Sequence, residues 1–185
     1  MMLEAFRMIL AQGFELAKHR EKRAHDRFDG LVRPMYERIQ KVHEDYVAMF
    51  SSAFVAVRQD VPLADVVTRL NMSRMETRVV RHEFFRVVEA VNRNDALPME
   101  VQSFVRAIGN YVAALETYSN GTPATVVLTY LTLLADQEAD KDGSAKLVEA
   151  RRNAEHMLKR AVDHLDKRLE AISASYVVLL AARYV

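Results

Sequence analysis

Apolar side chains recur at steps of three and four residues along almost the whole chain, the spacing that lines one face of a 3.6-residue helix. The first stripe is Leu3, Phe6, Leu10, Phe14, Ala17, Ala24 and Phe28, with a polar gap at Glu21. Asp29-Gly30 and Arg33-Pro34 interrupt it. A proline ring clashes with the carbonyl four residues back and biases the residue before it towards extended backbone, so a turn or sharp kink is expected there. A second stripe follows from Pro34 to Arg58, with Met35, Ile39, Val42, Tyr46, Met49, Phe50, Ala53, Phe54 and Val57 on one face.

Asp60-Val61-Pro62 opens a short helix carrying Leu63, Val66, Val67 and Leu70, with Asp60 as its cap. Asn71-Met72-Ser73 reads as a tight break, after which Ser73 and Glu76 form a capping box for a helix to about Asn92. Val101, Phe104, Val105, Ile108, Val112 and Leu115 mark the next, stopped by Asn120-Gly121. Thr122-Pro123 restarts the chain into Val126–Leu131, apolar on nearly every side. Its β-branched content leaves a buried strand as the alternative, but no pairing partners exist elsewhere, so helix is the expectation. Ser144 caps a last helix to about Tyr184, with Ala154, Leu158, Ala161, Leu165, Leu169, Ile172, Tyr176 and Leu179 in near-heptad register.

These segments predict an all-α protein, an elongated antiparallel bundle of about seven helices in one domain over residues 1–185, with residues 1–29 as a candidate extended arm. Composition agrees, with only 5 Gly, 4 Pro and no Trp, against 9 Met as helix-compatible core filler. A straight last helix would be about 60 Å long, whereas a compact globule of this size is roughly 40 Å across. Elongation with self-association through an overhanging apolar stripe follows as the expectation.

The absence of Cys removes disulfides and thiolate chemistry and fits a reducing, cytoplasmic setting. A net charge of +1 carries no overall pull towards nucleic acid or membrane, so such a role requires a local patch. Glu4, Arg7 and Glu15 break up the apolar N-terminus, which does not read as a signal peptide. The apolar run from Ala124 to Ala135 falls short of the ~20 residues that span a bilayer, so integral membrane insertion is not expected.

Three stretches could carry chemistry. Residues 63–85 look like a helix-turn-helix, with a short apolar helix, a turn at Asn71 and Ser73 capping a second helix. The resemblance implies a DNA-binding regulator whose Arg74, Thr77, Arg78 and Arg81 meet phosphates or guanine edges. It departs from the usual pattern at Asn71, where Gly is common, and at Thr77, where an apolar residue is expected. The same residues also read as two bundle helices with arginines on a solvated face. Lys18, Arg20, Lys22, Arg23 and Arg27 make a basic patch suited to phosphate or an anionic membrane surface, or else the solvated end of a long helix. Arg151 and His156, five positions apart, are similar to the motif of HEPN-type ribonucleases, themselves helical bundles. That resemblance implies Arg151 and His156 acting on a scissile phosphate and the 2′-hydroxyl proton. Arg20 and His25 show the same interval.

No metal site emerges. His156 and His164 lie two turns apart, His82-Glu83 lacks the second His of a zinc-protease helix, and no nucleophile elbow or phosphate loop occurs. The sequence therefore ranks first a non-enzymatic interaction or scaffold protein without cofactors, forming homo-oligomers and engaging another protein. A DNA-binding regulator and a helical ribonuclease follow it.

Overall fold

The computed structural model describes residues 24–76, 78–92, 97–116, 123–139 and 144–182, and every regular element among them is helical. Six helices follow one another. Helix α1 begins as Ala24–Arg27, passes through a π-turn at Phe28–Val32 and continues as Arg33–Arg58. Then come α2 (Leu63–Glu76), α3 (Arg78–Asn92), α4 (Met99–Glu116), α5 (Pro123–Ala139) and α6 (Ser144–Ala182). The all-α bundle with a long last helix is as the periodicity predicts, and the Val126–Leu131 run is helix within α5.

Two boundaries differ from the sequence reading. The interruption expected at Asp29–Pro34 is a π-turn, in which the Arg33 N–H bonds to the Phe28 carbonyl five residues back. The wider turn gives the Pro34 ring room that an α-turn lacks, so the proline produces a bulge within one helix and not a boundary between two. An Asp29–Arg33 ion pair of 3.0 Å spans the bulge, and the Arg33 guanidinium lies 5.6 Å from the Phe28 ring centroid. Among the described residues there are therefore six helices and not about seven. The break expected at Asn71-Met72-Ser73 is also absent, because α2 runs on to Glu76. Asn and Ser lower helix propensity only by tenths of a kcal/mol, too little to end a helix whose Leu70 is already buried. The stop at Asn120-Gly121 and the Leu3–Ala17 stripe of the candidate arm lie outside the described residues.

α1 and α6 run antiparallel and pack along their lengths. Met35, Ile39, Val42, Tyr46, Phe50, Ala53 and Val57 of α1 are buried, as are Ala150, Ala154, Leu158, Ala161, Leu165, Ile172 and Leu179 of α6. Alanines at three of the α6 positions let the two backbones approach closely. At one end Tyr36 stacks on Tyr176 with ring centroids 3.9 Å apart, and its hydroxyl is 3.0 Å from that of Ser173. The other helices complete the bundle: α4 and α5 pack on α6, α2 packs on α1 and α5, and α3 packs on α4. With 39 residues, α6 is about 58 Å long, and α1 matches most of that length. No described helix is long and apolar enough to cross a membrane.

The α3–α4 crossing depends on Gly109, where an added Cβ would sit 2.8 Å from Cγ1 of the buried Val88. Alanine in place of glycine inside a helix normally stabilises by up to ~1 kcal/mol, whereas overpacking costs ~1–3 kcal/mol. Gly109→Ala is therefore expected to destabilise by about 1 kcal/mol net, lowering the melting temperature by about 3 °C. Val88→Ala should cost less in the Gly109→Ala background than alone. Thermal melts of the two single variants and the double variant measure this coupling, and a stabilised Gly109→Ala would refute the close approach.

Candidate functional site

Arg151 reaches from α6 into the α1–α2 turn. Its guanidinium donates from Nη1 to the Val57 carbonyl (3.1 Å) and from Nη2 to the Val61 carbonyl (3.2 Å). It also makes a short ion pair with Glu138 of α5, and Asp60 lies 3.6 Å away. Glu138 in turn accepts from the Leu63 backbone N–H at 2.6 Å. The helix termini explain the arrangement. The Val57 carbonyl at the end of α1, which also accepts the Asp60 N–H at 3.2 Å, and the Val61 carbonyl just beyond it attract a cation at the negative end of the helix, while the Leu63 N–H at the start of α2 attracts a carboxylate. One partly buried pair, with Arg151 14% and Glu138 18% exposed, serves both ends. Asp60, at φ 57°, turns the chain through the left-handed region between them.

Arg151 is thus committed to the fold. His156, five residues on, is rotated by roughly 140° about the helix axis and is exposed. The structure does not bring the pair together. His156 instead lines a shallow groove of about 470 Å³ between α1 and α6, with Phe54, Arg152, Asn153, Glu155 and Lys159. The Arg58 guanidinium sits 5.7 Å from the centroid of the Phe54 ring.

The helix-turn-helix expectation meets a different geometry. Asn71 and Ser73 are helical, α2 packs mainly on α5, and α3 packs on α4, so the two helices do not form a compact pair around a turn at Asn71. Arg74 is half-buried in α2, Thr77 lies outside the described residues, and the side chains of Arg78 and Arg81 do likewise. Of the basic patch, Lys18, Arg20, Lys22 and Arg23 lie outside the described residues, and Arg27 is half-buried at the start of α1.

Sequence reasoning missed a polar chain across α1, α4 and α6. Nδ1 of His43 is 2.9 Å from the Tyr111 hydroxyl, and Nε2 is 3.1 Å from an Asp166 carboxylate oxygen. Burial, reinforced by Tyr46 and Asp166 and opposed by Arg168, raises the Tyr111 pKa far above the phenol range. The phenol therefore keeps its proton; the Asp166 carboxylate can only accept, so Nε2–H donates to it, while Nδ1 pairs with the Tyr111 hydroxyl. Next to it, Arg168 donates from Nε to Nε2 of His164 (2.7 Å) and from Nη1 to the Asn110 carbonyl (2.6 Å). Tyr111 sits three positions after Ile108, on the stripe that faces inward, and this is the one sequence signal that could have flagged it. Among the described residues no cluster of three His, Asp or Glu side chains could hold a metal ion.

Compared with family models, with curated proteins and with solved structures, the chain finds no match in any of the three.

Two expectations test these assignments. Arg151→Ala removes the cation from Glu138 and a donor from the Val57 and Val61 carbonyls and is expected to destabilise by about 2 kcal/mol, whereas His156→Ala should stay within ~0.5 kcal/mol. Urea denaturation separates them, and equal costs would contradict the staple. The second concerns pH. Desolvation first, then Arg168 and Lys167, lowers the His164 pKa below the ordinary histidine value. The unfolded chain thus binds a proton more readily than the folded one, and stability should fall as pH drops through the ordinary histidine pKa of about 6.5 and below. Melts of wild type and His164→Gln across that range should show a shallower slope in the variant. An unchanged slope would assign the effect to another group.

Proposed function

We propose that this chain is a non-enzymatic helical interaction protein that self-associates and engages a partner protein along the outer face of its last helix. The observation that carries the reading is an apolar seam on the last three turns of α6. Ala171, Ala174, Val178 and Ala181 are all exposed and follow one another at steps of three, four and three residues. That is the heptad spacing by which one helix meets another. Val177 beside the seam is 59% exposed and Val178 56%, while Ile172 and Leu179 of the same segment face the bundle core. Small side chains along such a seam allow a second helix to approach closely. The non-enzymatic part is supported by the convergent polar groups at Arg151 and His43, which satisfy one another and nearby helix carbonyls.

The seam covers less area than the 1,200–2,000 Å² of a stable interface, so the association it supports is weak and concentration-dependent. Light scattering coupled to size-exclusion chromatography is expected to show the mass rising from one chain towards two over tens to hundreds of micromolar. Ala174→Glu with Val178→Glu, both on exposed positions, should hold the chain at the single-chain mass with an unchanged melting temperature. A wild type of single-chain mass throughout the range would sink the reading.

A further inference from the structure

We infer that the groove between α1 and α6 binds single-stranded nucleic acid, with Phe54 as the platform for a base and Arg152, His156 and Lys159 along the backbone. Those three side chains follow at intervals of four and three residues, so they share one face of α6 and rise about 6 and 10 Å along its axis. All three are exposed and, among the described residues, none is tied to a carboxylate. Opposite them, half-buried Phe54 already holds the flat Arg58 guanidinium against its ring. A nucleobase is the other planar group that stacks there, on the ring or on the guanidinium.

The rim decides between nucleic acid and an acidic peptide. Asn153 and Glu155 line the groove beside the cations. Asn153 offers both donors and acceptors to a base edge, and Glu155 accepts from an exocyclic amine, whereas a run of peptide carboxylates would leave both the Phe54 ring and the Glu155 acceptor unused. The groove begins about 18 Å along α6 from the seam at Ala171, so this inference does not depend on self-association.

The probe is a fluorescein-labelled oligouridylate of about 12 nucleotides, titrated with the full chain and read by anisotropy. Two cationic phosphate contacts, from Arg152 and Lys159, give a logarithmic salt slope near −1.4, so affinity should fall about sevenfold between 50 and 200 mM salt. Arg152→Glu with Lys159→Glu should reduce binding at least tenfold, and Lys41→Glu, on another exposed face of α1, should leave it unchanged. Phe54→Leu, with an unaltered circular dichroism spectrum, should weaken binding by about tenfold through the lost stacking. Four results would overturn the inference: no anisotropy change at about 200 μM protein, a range that reveals even non-specific binding; retention of binding by the double charge reversal; displacement by polyglutamate as effective as by unlabelled oligouridylate; or full affinity in the folded Phe54→Leu chain.

Discussion

The antiparallel pairing of α1 with α6 is the constraint on which the rest of the structure depends. Each helix is roughly 50 Å or longer, and neither can bury its stripe except against a partner of similar length. Once they are zipped together, the shorter helices are placed by the apolar faces left over. α4 and α5 cover the remaining side of α6, α2 fills the angle between α1 and α5, and α3 closes over α4. The π-turn at Phe28–Val32 belongs to the same constraint. It keeps α1 continuous through Pro34, so that Phe28 and Tyr36 both reach Tyr176 near the far end of α6.

Apolar stripes of three- and four-residue steps do not by themselves define one register, because a shift of one heptad, about 10 Å, again places apolar residues opposite apolar residues. The polar ties remove that degeneracy. A shifted α6 would strand Arg151 away from the Val57 and Val61 carbonyls and Glu138. It would also leave His43 without Asp166, and the Tyr36 hydroxyl without Ser173. Burying any of these groups unpaired costs several times what the matched bond contributes, so the ties act more through the alternatives they penalise than through the stability they add.

This division of labour also sorts the surfaces. Polar groups that converge between helices serve the register. The two surfaces proposed for recognition lie outside: the alanine and valine seam near the end of α6 and the cation-lined groove around Phe54. They occupy different stretches of the same long helix, which can therefore present two chemistries at once while its inward face holds the bundle together.

Helical class, the long last helix and most core positions were determined by the sequence alone, because a stripe repeating every three or four residues admits one local structure over such lengths. Ile39, Val42, Tyr46, Phe104, Ile108, Leu158 and Leu165 follow from that spacing, and all are buried. Where local signals were weak, packing decided. Asn71 and Ser73 lack the steric force to end a helix, and Pro34 has that force but was accommodated by one wider turn. A spacing of five already sets Arg151 and His156 about 140° apart around one helix, but only the tertiary structure shows that Arg151 faces the α1–α2 turn. It alone could join His43, Tyr111 and Asp166, which stand on three helices far apart in sequence, because that chain exists only after the register of α1, α4 and α6 is set. Local periodicity determines what each segment becomes; the pairing of distant segments decides which polar groups meet.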